Sequence, residues 1–219
     1  MGIQAAIFDF GGVITASPFE AFNRLEAERG LPHDLVRRIN AVEPDSNAWA
    51  LLERAEITRS EFDARFAAEA AALGHDLRGA DVLAVIAGAI RPGMVAALDT
   101  IRGAGLKLGC ITNNVPGSSG PAMAADAKSE SRYAAIFARF DHVIESAKAG
   151  VRKPDPRIYA MMCDVLAVSP SECVYLDDLG INCKPAAAMG MAAIKVTGEA
   201  QALKELSAVL AIDLTGDAL

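Results

Sequence analysis

The chain lacks a long apolar run, a basic excess, and any cluster of nitrogen or sulfur metal ligands. Its longest apolar stretch, VLAVIAGAI (82–90), is too short to cross a bilayer and contains a glycine. Lysine and arginine total 21 against 28 aspartates and glutamates, for a net charge of −7. With neither basic clusters nor interleaved aromatics, that balance argues against nucleic acid and against an anionic membrane surface. It leaves a phosphate substrate open, because one bound divalent cation and one lysine reverse the local sign. Cys110, Cys163, Cys173 and Cys183 show no metal-ligand spacing, and Cys110 and Cys173 fall inside strand-like runs where buried thiols are ordinary. His33, His75 and His142 are scattered and read as structural or exposed. No Ser-His-Asp order, nucleotide fingerprint or Walker-type loop is present. The first residues run into a strand with no basic segment or cleavage pattern, so a leader is not expected and a cytoplasmic setting is. The sole tryptophan, Trp49, reads as a packing residue.

What is present is an alternation of strands and helices, interrupted once. QAAIFD (4–9) is a fully apolar run ending in an acid, the pattern of a buried parallel strand. Gly11 and Gly12 then allow a sharp turn and close approach to a ligand. From about Pro18 to Ile90 the pattern is helical: FEAFNRLEAERG stops at Gly30, and Thr58 with Glu61 forms a capping-box pattern ahead of a helix that Gly74 can end. After residue 90, strands LKLGCIT (106–112), HVIES (142–146), CVYLD (173–177) and AAIKV (192–196) alternate with helices near Pro92, Pro156, Gly180 and Ala200. Repeated β-α units predict an α/β fold with a doubly wound, Rossmann-like parallel sheet, whose ligands bind beyond the carboxyl ends of the strands. Residues 1–15 with 91–219 read as the core, and 16–90 as a helical insertion placed to act as a lid. The Gly-, Ser- and Pro-containing stretch 115–133 reads as a mobile loop beside the site.

Four segments carry the chemistry, the first, second and fourth of them at strand ends: AAIFDFGGVIT (5–15), LGCITNN (108–114), GVRKPDPRIY (150–159) and CVYLDDLGIN (173–182). Asp9 is placed to attack phosphorus, its bland alternative being an acid that caps the adjacent turn. Asp177 and Asp178 leave one strand end together. One can face a magnesium ion shared with Asp9 and the other support it, while helix N-capping would account for only one of them. Thr112 and Asn113 offer a hydroxyl and an amide to phosphate oxygens, although alone they would make an ordinary turn. Lys153, ahead of Pro154-Asp155-Pro156, is aimed by a restrained backbone, although a lone lysine is usually a solvated charge.

In this order the four segments resemble the haloacid dehalogenase superfamily of hydrolases, subfamily IA, with residues 16–90 in the place of its small helical cap. RAEIT (54–58) and the stretches 143–159 and 169–191 resemble the N-terminal phosphatase domain of soluble epoxide hydrolase and the related domain of acyl-CoA dehydrogenase family proteins. The resemblance implies an aspartyl-phosphate on Asp9. It implies magnesium held by Asp9, the Gly11 carbonyl and Asp178 with Asp177 nearby, and phosphate held by Thr112, Asn113 and Lys153. It further implies a small phosphorylated metabolite or lipid phosphate as substrate, and a monomer or homodimer. Gly11 stands where such phosphatases carry a second aspartate as general acid–base. Three readings therefore remain open: a magnesium-dependent phosphatase, a phosphate-ligand-binding protein without turnover, and a metal-free 2-haloacid dehalogenase.

Overall fold

The computed structural model describes residues 2–86, 88–114 and 127–215. Five strands, β1 (Ala5–Phe8), β2 (Lys107–Thr112), β3 (His142–Glu145), β4 (Cys173–Asp177) and β5 (Ala192–Lys195), form one sheet in the order β3-β2-β1-β4-β5. Every pairing is parallel. The carboxyl ends of all five strands therefore lie along one edge, with Asp9, Thr112 and Asp177 at the three central ones. β1 and β4 are buried at every position, which accounts for their uninterrupted apolar sequences.

Successive residues of a strand face opposite sides, and the two faces pack separately. Ala6, Phe8, Leu108, Cys110, Val174 and Leu176 meet α6 (Pro92–Gly103), α7 (Ala127–Phe137) and α11 (Glu199–Leu210). Ala5, Ile7, Ile111, Cys173 and Tyr175 meet α9 (Pro156–Leu166) and α10 (Gly180–Ala188), and the short α8 (Ser146–Ala149) follows β3. All four cysteines are buried and free. The stretch 115–133, expected to be a mobile loop, differs from that expectation over its second half. Residues 115–126 lie outside the described residues, but α7 begins at Ala127, because every proline and glycine of the stretch falls before residue 122 and the rest is helix-forming.

Between β1 and α6 run α1 (Pro18–Glu28), α2 (Leu35–Ala41), α3 (Ala48–Glu53), α4 (Arg59–Ala72) and α5 (Gly79–Ala84). Their apolar faces gather into a cluster of their own, built on Phe22, Leu35, Ile39, Leu52, Phe62 and Phe66. Trp49 lies edge-on to Phe22 and Phe62, at 5.9 and 5.5 Å between ring centroids. The chain enters and leaves this helical block through two adjacent segments bridged antiparallel at Thr15 and Ile90, where Ala16 N–H also donates to Ala89 O at 2.7 Å. The capping box reads as expected: Thr58 Oγ1 accepts from Glu61 N–H at 3.2 Å, and Glu61 Oε2 accepts from Thr58 N–H at 2.7 Å. Replacing Thr58 by Ala removes one of these partners and should cost about 1 kcal/mol. Chemical denaturation of the variant against the parent measures this.

Candidate active site

The site is assembled from the turns that follow β1, β2 and β4, together with the segment entering α9. β1 ends at Phe8, and Asp9 N–H continues its pairing by donating to Leu176 O at 2.8 Å. The Asp9 side chain is held on one oxygen, where Oδ1 accepts from Phe10 N–H at 2.6 Å and meets Lys153 Nζ at 2.8 Å. Its Oδ2 accepts no hydrogen bond among the described residues. Phe10 points away into the core, stacked on Phe137 at 4.4 Å and edge-on to Tyr133, which fixes the direction of the turn. Gly12 then takes φ +78°, and a Cβ on it would stand 2.2 Å from Asp178 Oδ2. Only a glycine lets the β1 turn pack against that carboxylate. At Gly11 the reverse holds: an added Cβ meets nothing within 4 Å, and its carbonyl accepts no hydrogen bond among the described residues.

Lys153 is the centre of the cluster. Its side chain is 1% exposed, and Nζ lies 2.9 Å from Asp177 Oδ2 as well as 2.8 Å from Asp9 Oδ1. Burial alone would push this ammonium down, but the carboxylates of Asp177 and Asp9 outweigh it and hold Lys153 above its ordinary value. Burial pushes the Asp9 carboxyl well above the usual carboxylate range; Lys153 opposes that, and Asp177 and Asp178 add to it. Asp178 is likewise raised by burial, against the hydroxyl of Ser17, which donates to its Oδ2 at 2.7 Å.

The adjacent aspartates have different surroundings. Asp177 is fully buried, and its two oxygens receive Lys153 Nζ, Tyr175 O–H at 2.5 Å, Leu179 N–H at 2.8 Å and Asn182 Nδ2 at 3.1 Å from each. Every lone pair is engaged, so its geometry is that of an anchor for the lysine. Asp178 keeps Oδ1 without a partner among the described residues. Carboxylate oxygens of Asp9, Asp177 and Asp178 lie within 4.8 Å of one another. Three carboxylates around one ammonium leave an excess of negative charge in a buried pocket, a balance that a divalent cation restores. The unengaged carboxylate oxygens on Asp9 and Asp178 are hard donors of the kind that suits magnesium.

The residues expected at phosphate separate in the same way. Thr112 is 4% exposed at the end of β2, and its hydroxyl has no partner among the described residues. Asn113, expected to offer its amide to a phosphate, has it committed elsewhere. Oδ1 accepts from Lys153 N–H at 3.0 Å, while Nδ2 donates to Lys153 O at 3.1 Å and to Glu53 Oε2 at 3.2 Å. An amide with its donors and acceptor all used positions the lysine backbone rather than a ligand. Ser17, Tyr175, Asn182 and Glu53 are the site residues that the sequence reading missed. Glu53 carried one signal, an acid closing the apolar helix AWALLE at the end where a helix disfavours negative charge. Arg91, at the return from the helical block, donates from Nη1 to Gly12 O at 2.7 Å.

Residues 3–190 match the family model for haloacid dehalogenase-like hydrolases. The chain is 34% identical over 217 residues to mouse acyl-CoA dehydrogenase family member 10, covering 96% of this chain and 19% of that protein. It is 30% identical over 226 residues to pig bifunctional epoxide hydrolase 2, covering 98% and 40% respectively. It therefore spans less than half the length of these two relatives. Against Phosphatase MT3486 of Mycobacterium tuberculosis, 31% identity extends over 226 residues and 97% of both chains. Among solved structures, a haloacid dehalogenase-family enzyme from Bacteroides thetaiotaomicron, in complex with magnesium and inorganic phosphate, superposes with a TM-score of 0.57 at 17% identity, covering 88% of this chain and 93% of that one. The L-2-haloacid dehalogenase of Xanthobacter autotrophicus, with chloropropionic acid covalently bound, gives 0.57 at 21% identity, covering 95% and 84%. These two structures share the fold with this chain. The family match, which takes in the first four strands and all four motif segments, places this chain in the haloacid dehalogenase-like hydrolase family.

Proposed function

We propose that this hydrolase is a magnesium-dependent phosphatase acting on a small phosphate monoester through an aspartyl-phosphate on Asp9, with residues 16–90 as its cap. The observation that carries the reading is the clustering of Asp9 and Asp178, each with an unengaged oxygen, beside a buried lysine. Phosphatase MT3486, whose length the chain matches, supports it by name. A metal-free dehalogenase is disfavoured by the third carboxylate, since Asp178 beside Asp9 would repel an anionic substrate.

Asp9, the Gly11 carbonyl and Asp178 would hold the ion, which offsets charge on the phosphoryl oxygens when bound. Lys153 supplies a fixed positive charge toward the same oxygens, and the Thr112 hydroxyl is available to donate to one of them. An Asp9 oxygen attacks phosphorus as the bond to the ester oxygen breaks and the alkoxide or phenoxide departs. Water then attacks phosphorus, the bond to the Asp9 oxygen breaks, and inorganic phosphate leaves carrying the water's oxygen and protons, which regenerates the carboxylate. Asp177 takes no direct part. It keeps Lys153 charged and in place, the supporting role expected of one member of the Asp177-Asp178 pair. Gly11 provides no proton for the departing oxygen, so leaving groups that are stable anions are the ones this site handles unaided.

Phosphate release from p-nitrophenyl phosphate should require magnesium, vanish with chelator and fall to background in Asp9→Asn. Release independent of either would sink the reading. Because a side chain at Gly11 meets open space, Gly11→Asp should fold, and should raise turnover of alkyl phosphates by up to about 10²-fold, the lower end for a positioned general acid. The same variant should change p-nitrophenyl phosphate turnover far less, and a parallel rate comparison on both substrates checks the difference.

A further inference from the structure

Glu53 lies outside the four motif segments, at the end of α3 in the helical block, yet it is 7% exposed and reaches the lysine segment of the core. A buried carboxylate at a helix C-terminus is unfavourable unless donors converge on it. They do, and they come from both parts of the molecule. Trp49 Nε1 donates to Oε1 at 2.9 Å, tying the carboxylate to the aromatic cluster of the helical block. On the core side Oε2 receives Asn113 Nδ2 at 3.2 Å and lies 2.7 Å from Arg152 Nε, an ionic contact without hydrogen-bond alignment. The backbone carbonyl of Glu53 accepts from Ser146 Oγ at 2.6 Å, and Ser146 Oγ in turn accepts from Asn114 N–H at 3.0 Å. Arg152 in turn donates from Nη1 to Pro44 O, at 3.0 Å, in the helical block.

The consequence falls on Asn113. Its Oδ1 faces the Lys153 N–H, and its Nδ2 faces the Lys153 carbonyl and Glu53. Turned over, the amide would set oxygen against two acceptors and nitrogen against a donor. Glu53 therefore favours the one orientation in which Asn113 clamps both polar groups of the lysine's backbone.

We propose that Glu53 is a positioning residue through which the seating of α3 on the core sets the backbone of Lys153, so that phosphate binding and turnover depend on a residue that touches neither substrate nor metal. This inference rests on the phosphatase reading above. Were the helical block to lift away, Glu53 would leave with it, and Asn113 would lose one of the two acceptors of its Nδ2.

The test compares the full chain with Glu53→Ala, Glu53→Gln, Asn113→Ala and the Glu53→Ala/Asn113→Ala pair. It reads kcat and KM on p-nitrophenyl phosphate with magnesium, and hydrogen exchange of the Lys153 amide by NMR. Glu53→Ala should lower kcat/KM by about 10–100-fold, the scale of an ångström-level misplacement. Lys153 exchange should rise by about tenfold as its bond to Asn113 loosens. Glu53→Gln keeps a carbonyl acceptor for Asn113 and should recover most of both. In the Asn113→Ala background, removing Glu53 should add less than about twofold, because both act through one contact. Unchanged Lys153 exchange in Glu53→Ala, or fully additive losses in the pair, would overturn the proposal. Asn113→Ala must raise Lys153 exchange without disturbing the helical block, so its failure to do so overturns the proposal even where Glu53→Ala unfolds the chain. A wild-type chain that releases no phosphate defeats the phosphatase reading instead, while the exchange rates still decide the Glu53 link.

Discussion

A single ammonium group, that of Lys153, holds the strand-end chemistry of this protein together. It is withdrawn from water and touches Asp9 from β1 and Asp177 from β4, so two neighbouring strands converge on it. Such a pair is worth little as a stability device, since the cost of drying the charges roughly matches their attraction. Its value is positional. Remove the lysine and Asp177 is left buried without its counter-charge, and Asp9 loses one of the two partners that fix its Oδ1. Tyr175 and Asn182 complete the arrangement by occupying the remaining oxygens of Asp177, which accounts for a tyrosine hydroxyl inside an otherwise apolar strand.

Around this centre, polar contacts tie the helical block and its linkers to the core at three places. Ser17, on the outgoing linker, donates to Asp178; Arg91, on the return, donates to the Gly12 carbonyl; and Glu53 reaches Asn113 and Arg152. The first two lie at the paired linkers. The third lies at the end of a helix, so it reports whether the block is seated. The block's own aromatic cluster is separate from the two that sandwich the sheet.

Much of this was legible along the chain. Buried parallel strands are apolar at every position, so β1 and β4 could be read directly, and Thr58 with Glu61 specifies its helix start by local bonds alone. Asp9, Thr112, Lys153 and the Asp177-Asp178 pair were legible because each closes or follows a recognisable element in a fixed order. α7 was obscured where glycine and proline ahead of Ala127 colour the whole stretch. Gly12 could be read as a turn, but not as the floor beneath Asp178, because that contact joins residues 166 positions apart.

The sequence by itself determined the sheet, the order of its motifs and the residue types delivered to its carboxyl edge, because strand burial, turn chemistry and capping are local and periodic. Only the tertiary structure decided how those residues divide the work. It gave Asp177 to the lysine and left Asp178 open, turned Asn113 from a ligand donor into a backbone clamp, and drew Glu53 in from the helical block. Adjacent aspartates or asparagines are equivalent as letters. Which of their oxygens and amide hydrogens remain unengaged depends on donors and acceptors brought in from distant parts of the chain, and a buried polar group must find those partners wherever the fold supplies them.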